Sequence, residues 1–230
     1  MIAVQPAGDG LESGVAAYRQ LREAISGGRF QPNERLIEAD LARMLQVGRT
    51  AVRAALVRLD QEGLVSREPH RGARVRLVSE REALEIEEVR VSLEQLLVRR
   101  AATNVTPADL VKLRQSIDAM RERVAQGDPL GYSELNARFH QQIWDISNNQ
   151  TARRLLANLK SQSIRFQYRT ILRPGRTEES LEEHEAILAA LTAGDADGAE
   201  AAMRTHLSQV VSTLKWSIES QTRPPSWLPG

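Results

Sequence analysis

Residues 41–62, LARMLQVGRTAVRAALVRLDQE, read as two helices joined by a sharp turn, and this stretch decides the first half of the fold. Leu41 and Leu45 form one apolar stripe at helical spacing, and Val52, Leu56 and Leu59 form a second. Between them lies Gln46-Val47-Gly48, too short for a loop, with a glycine expected to permit the bend. The second helix then carries Arg49 and Arg53 one turn apart near its N-terminus, with Thr50 beside them. An apolar face can anchor this helix while its first turns offer guanidinium forks to a major groove. Such forks match the O6 and N7 acceptors of guanine, or a phosphate. An ordinary helical hairpin with a solvated arginine face shares the same periodicity, so the flanking residues must arbitrate.

They favour DNA. Gly63-Leu64-Val65-Ser66 ends the helix and enters an extended run. Arg67-Glu68-Pro69-His70-Arg71-Gly72-Ala73-Arg74-Val75-Arg76 then reads as two short strands around a tight basic turn. A β-hairpin directly after a helix-turn-helix is a wing. His70, Arg71 and the small Gly72 stand at its tip, placed to reach a minor groove. Upstream, a helix is expected from about Val15 to Gly27, so that three helices and a hairpin make up residues 11–78. Residues 1–10 read as a flexible arm.

Composition sets the outer bounds. At 230 residues the chain can form two modest domains. It holds no cysteine, which excludes disulfides, thiolate metal sites and cysteine nucleophiles. No apolar run approaches a membrane span and the N-terminus MIAVQPAGDG lacks a signal-peptide pattern, so a cytoplasmic protein with no membrane partner is expected. The net charge is only +1, but residues 1–78 carry 12 arginines against 9 acidic residues. That modest excess gathers at the second helix and the wing, where a nucleic-acid partner would need it.

After the linker Leu77-Val78-Ser79, where Ser79 and Glu82 have the spacing of a capping box, only helical patterns follow. Breaks at 104–107, 126–129, 147–150, 172–175 and 193–195 divide residues 79–222 into six helices, an antiparallel all-α bundle. Leu93, Leu96, Leu97, Ile117, Ile143, Leu155, Leu159, Ile187, Leu188, Leu191, Val210 and Leu214 are expected to fill it, with Phe139 and Trp144 as core aromatics. Residues 223–230 form a proline-rich tail that cannot be helical, whose Trp227 could dock on a partner surface. The fold class is therefore mainly α: a winged helix-turn-helix followed by a helical bundle.

Of the four histidines, His70 is in the wing and His140, His184 and His206 are in the bundle. Asn136 lies one turn before His140, on the same helix face. His184 stands ten residues before the turn at Gly194 and His206 twelve after it, so an antiparallel hairpin brings both to similar heights. Three helices can thus offer three imidazole nitrogens to one interior point, as a divalent metal requires. Direct binding of a carboxylate or water by the same histidines is the alternative.

Two family resemblances sharpen this reading. Residues 21–77, through LREAISGGRFQPNERLIEADLA, VGRTAVRAAL, RLDQEGLV and RGARV, resemble the N-terminal domain of the GntR family of bacterial transcription regulators. The resemblance implies that Arg49 and Arg53 contact bases or phosphates and that Gly72 is the wing-tip glycine. Ala39 stands where that family usually carries an arginine, and Gly48, Ala51 and Ala54 replace its common Ser, Pro and Glu. Asn33 replaces a turn glycine, and asparagine tolerates left-handed geometry.

Residues 84–212, through EIEEVRVSLEQLLVRRAA, NARFHQQIWDISNNQ, EEHEAILAAL and AGDADGAEAAMRTHL, resemble the FCD effector domain of the FadR-like subgroup. Metal-containing members bind Zn, Ni or a similar ion through an Asp-x-x-x-His pair and two later histidines. His140, His184 and His206 fall on those histidine positions, while Asn136 takes the aspartate position and brings no charge. The resemblance also marks Arg90 as a pocket arginine able to pair with a carboxylate and Asn149 as a pocket asparagine; Arg165 is a weaker candidate. A salt bridge from Arg90 to Glu87 or Glu94, and a helix N-cap at Asn149, are the plain alternatives.

The expected function is a homodimeric regulator, more often a repressor in this family, that binds a pseudo-palindromic double-stranded DNA operator. A small carboxylate effector, anchored at a metal in the bundle, would modulate it. A metal-ion sensor and a constitutive architectural DNA binder are the alternatives. Hydrolysis by metal-bound water is disfavoured, because the best-placed position carries the amide of Asn136 and no HExxH motif occurs.

Overall fold

The computed structural model describes residues 10–68 and 72–222, and the chain divides into two compact units between Val78 and Ser79. The first unit contains α1 (Gly10–Ser26), β1 (Arg35–Leu36), α2 (Glu38–Leu45), α3 (Arg49–Gln61), β2 (Val65–Glu68) and β3 (Gly72–Val75). The strands form an antiparallel sheet in the order β1-β3-β2, with Val65 opposite Val75 and Glu68 opposite Gly72. Ala17, Leu21 and Ile25 of α1 pack on Val52, Leu56 and Leu59 of α3, and Leu36, Leu41, Val65 and Val75 close the same core. This is the expected winged helix-turn-helix. Its wing turn at Pro69, His70 and Arg71 lies outside the described residues.

The turn between α2 and α3 is built differently from the expectation. Gln46, not Gly48, takes the left-handed conformation, with φ 55°, while Gly48 is extended at φ −69° and ψ 152°. The Gln46 N–H closes the last turn of α2 by bonding back to the Arg43 carbonyl, so the bend is made at the helix C-cap. Asn33 is left-handed as its residue type suggests, at φ 65°.

The second unit is a bundle of α4 (Glu80–Asn104), α5 (Pro107–Ala125), α6 (Pro129–Ile146), α7 (Gln150–Ile171), α8 (Arg176–Ala193) and α9 (Ala196–Thr222). Side-chain caps start four of these helices. Ser79 Oγ accepts the Glu82 N–H, Thr106 and Asp109 form a reciprocal capping box, Asp128 accepts the Gly131 N–H and Asn149 the Ala152 N–H. Gly194, at φ 67°, ends α8 in the left-handed conformation that glycine adopts without a Cβ penalty. The helix hairpin it makes sets α8 against α9, and α4 runs along α9.

The bundle core gathers Val98, Leu113, Ile117, Met120, Phe139, Ile143, Ile187, Leu191, Met203 and Leu207. A satellite of Leu97, Trp144, Ala152 and Leu156 lies beside it. Two residues expected inside are not: Leu96 and Leu155 remain 44% and 48% exposed. Each precedes a fully buried leucine, Leu97 or Leu156, and one helical step of about 100° turns it away from the core.

Candidate metal and effector site

Arg49, Thr50 and Arg53 are all exposed on the first two turns of α3, away from the face that carries Val52 and Leu56. Arg53 is held by Glu38 of α2 through two hydrogen bonds of 3.1 and 2.8 Å. Hydrogen bonding to Arg53 lowers the Glu38 pKa. Gly72 opens β3 at φ 84°, a conformation that favours glycine.

Inside the bundle, His140 of α6, His184 of α8 and His206 of α9 meet, all buried. They get there by ordinary helix register. His140 follows Phe139 and precedes Ile143 on the inner face of α6, His184 lies between Leu181 and Ile187, and His206 between Met203 and Leu207. Ring centroids are 4.4 Å apart for His184 and His206, and 5.2 to 5.3 Å for the pairs with His140. One nitrogen from each ring lies within 4.8 Å of the others, so the three could hold a metal ion.

The Nδ1 atoms face outward to fixed partners. His140 Nδ1 meets Glu94 Oε2 at 2.8 Å, and His206 Nδ1 meets Glu183 Oε2 at 2.6 Å. His184 Nδ1 lies 3.2 Å from the Tyr132 hydroxyl and 3.4 Å from Ser180 Oγ. A ring that donates Nδ1–H to a carboxylate presents the Nε2 lone pair, which is how metal-binding histidines are commonly oriented. His140 Nε2 and His184 Nε2 are 3.2 Å apart. Two such atoms share either a proton or an ion, and tetrahedral zinc separates its nitrogens by about 3.3 Å. Burial, and then the neighbouring histidines, hold the pKa of His184 well below its ordinary value; burial and then His140 do the same for His206. Both rings are therefore neutral near pH 7, the state a metal ligand requires.

A further observation supports the fit. Asn136 Oδ1 is buried and accepts no hydrogen bond, although it lines the same small cavity as His140 and His206. A buried carbonyl without a donor costs about 1–3 kcal/mol, and an ion would supply the missing partner. The donor set of three imidazoles and one amide oxygen suits a borderline divalent ion such as Zn or Ni.

The cavity, about 40 Å³ in volume, is also lined by Arg90, Lys160, Thr170, Arg176 and Ser180. Arg90 donates to both oxygens of Glu87 at 2.8 Å and to Glu94 Oε1 at 3.0 Å, so it lines the cavity and forms the plain helical salt bridges at once. Trp144 Nε1 donates to Glu94 Oε2 at 3.0 Å. Glu94 thus takes three donors. Burial alone would raise its pKa, but His140, Arg90 and Trp144 outweigh that and hold it far below the carboxylate range. Arg176, which also lines the cavity, donates to Glu183 at 3.0 and 2.7 Å.

Asn149 is not among the residues that line this cavity; its Oδ1 accepts the Ala152 N–H at 3.1 Å as the cap of α7. The side chain of Arg165 lies outside the described ones. Sequence reading did not single out Glu183, Tyr132, Lys160 or Arg176 as site residues, and met Glu94 only as a salt-bridge partner for Arg90. Their only signal was helical spacing, since Glu87, Arg90 and Glu94 share one face and Ser180 lies one turn before His184.

Comparison with known proteins is consistent with both units. Residues 14–75 match the bacterial regulatory proteins of the gntR family, and residues 85–209 match the FCD domain. The HTH-type transcriptional repressor RspR of Escherichia coli K12 is 29% identical over 198 residues, covering 86% of this chain and 87% of that protein. A putative L-lactate dehydrogenase operon regulatory protein from the same strain is 32% identical over 209 residues, covering 81% and 80%. The solved structure of E. coli McbR/YncC superposes with a TM-score of 0.76 at 25% identity, covering 95% of this chain and all of that one. These relatives and families are regulators of transcription, not enzymes.

Proposed function

The chain belongs to the gntR family of bacterial regulatory proteins and carries an FCD domain, and on that premise we propose that a metal-anchored small carboxylate controls its binding to DNA. The observation that carries the reading is the convergence of three buried imidazoles, with their Nδ1 atoms engaged, beside a cavity that His140 and His206 line with the unpartnered carbonyl of Asn136. Bound there, an ion supplies a Lewis-acid anchor for an anion. His140, His184, His206 and Asn136 would hold it.

The remaining residues orient and transmit. Glu94 joins α4 to His140 of α6, and Arg90 on α4 lines the same cavity. An effector that draws Arg90 away from Glu87, or shifts Glu94, therefore acts on α4. That helix starts two residues after the first unit ends at Val78, so its displacement is available to the DNA-binding unit through the chain itself. The effector changes operator affinity only by binding the two arrangements unequally, and such couplings are typically about 1–3 kcal/mol.

The DNA-binding form is a homodimer acting as a repressor. One winged helix makes few base contacts, whereas two on a two-fold axis read both halves of a pseudo-palindrome. Arg49, Thr50 and Arg53 read the major groove, and the wing strand that Gly72 opens belongs to the same unit.

A second reading, in which the ion itself is the signal, is favoured by the neutrality of His184 and His206. A thermal-shift screen of small organic acids, with chelator or with added Zn or Ni, separates the two. A ligand at 100 times its Kd stabilises by about 2.7 kcal/mol. An acid that stabilises only the metal-loaded protein supports the effector reading. Stabilisation by metal with no response to any acid supports the ion sensor, and no response to either refutes both.

A further inference from the structure

We propose that Lys160 binds a second anionic group of the effector, so that the site selects acids with two anionic groups over acids with one. The inference rests on the metal-anchored carboxylate reading and narrows it to a ligand class.

Charge pairing in the cavity carries the argument. Three cationic side chains line it: Arg90, Lys160 and Arg176. Arg90 contacts Glu87 and Glu94, and Arg176 contacts Glu183, so the two arginines occupy these three carboxylates. Lys160, on α7, makes no ion pair or hydrogen bond among the described residues. Its ammonium instead lies 5.7 Å from the Trp144 ring, near the outer limit of a cation–π contact. Burial, and then Arg90, press its pKa down to about 8, against the pull of Glu94 and Glu87, which are near but not in contact. A partly buried ammonium without a carboxylate in contact is costly, and an anion arriving beside it lowers that cost.

A metal held by His140, His184, His206 and Asn136 would keep its positive charge available to an anion, because imidazole and amide ligands are neutral. A monocarboxylate on the ion leaves Lys160 unpaired; a second carboxylate on the same molecule pairs it. The cavity is small, about 40 Å³, which favours compact acids over long ones.

The test uses the full chain loaded with one equivalent of zinc and freed of excess ion. Calorimetric titrations compare acids of matched length, succinate with butyrate and malonate with propionate, in wild type, Lys160→Met and Lys160→Arg. The expected wild-type result is a dianion bound at least tenfold tighter than its matched monoanion. In Lys160→Met the preference collapses while monoanion and zinc affinities stay within twofold, and Lys160→Arg restores it. Equal loss of both acids in Lys160→Met marks a structural role and overturns the proposal. So does a wild type without preference, although chelator-sensitive binding of the monoacids would leave the anchor reading standing. Failure of every acid to bind the zinc-loaded protein overturns both.

Discussion

Replacing Glu94 by glutamine tests whether one buried carboxylate ties the metal site to α4. Glu94 is fully buried, with Arg90 on Oε1 and both His140 and Trp144 on Oε2. Glutamine keeps the shape but offers one oxygen and an NH2 group. Whichever way the amide turns, donor meets donor on one side. Hydrogen bonds to charged groups contribute about 1.5–3 kcal/mol each. The loss stays below the roughly 3–5 kcal/mol of a wholly orphaned buried charge, because Arg90 keeps both contacts to Glu87. A destabilisation of about 2–4 kcal/mol follows, which for a chain of this size lowers the melting temperature by roughly 4–16 °C. Zinc affinity should fall by about 10–100-fold, as when the group orienting a ligating histidine is lost. Scanning calorimetry and zinc competition against a chelator read the two effects. The double variant Arg90→Met/Glu94→Gln should melt lower still, because it also leaves the buried Glu87 carboxylate without Arg90. Wild-type melting and zinc binding in Glu94→Gln would refute the reasoning.

Arg53→Ala should weaken binding to a selected operator by about 1–3 kcal/mol in fluorescence anisotropy, while His184→Ala keeps DNA binding and loses the effector response. Equal loss of DNA binding in both would show that the histidines only hold the fold. Lys160 sets a pH signature. Its folded pKa of about 8 lies below the ordinary 10.5, so between these values the unfolded chain binds more protons and stability rises with pH. Relative to Lys160→Met, wild type should gain on the order of 2 kcal/mol from pH 8 to 10.5 in urea unfolding. Arg90, its pKa raised, and Glu94, its pKa lowered, do not titrate there, and a flat difference would contradict the burial of the ammonium. At the turn between α2 and α3, Gln46→Gly should raise the unfolding free energy by up to about 1 kcal/mol, seen as a higher urea midpoint, since Gln46 is left-handed; a loss of stability would mean that its side chain matters more than its backbone.

The helices were legible because their ends carry local chemistry. Pro107, Pro129 and Gly194 punctuate the bundle, and Ser79, Thr106 and Asp128 cap it, each within a few residues of the break it makes. The meeting of His184 and His206 was legible for the same reason, since one turn at Gly194 fixes their relative height. Gly48 misled because glycine permits a left-handed bend without requiring one, and Gln46 bears it instead. Leu96 and Leu155 misled because a leucine adjacent to another shares its apparent periodicity, and only packing decides which one turns inward. Glu94 and Glu183 could not be recognised as partners of His140 and His206. Glu94 and His140 are 46 residues apart, Glu183 and His206 23, and each contact exists only once helices pack. Lys160 was silent because an unpaired lysine looks the same in sequence as a solvated one.

The most direct measurement is the affinity of the full chain for an operator selected from random DNA, with zinc bound, before and after saturation with a small organic acid identified by thermal shift. The account expects the acid to change operator affinity by about 5-fold to 150-fold, corresponding to 1–3 kcal/mol of coupling, and expects chelation to abolish the change. An affinity unmoved by an acid that demonstrably occupies the zinc-loaded site would contradict it.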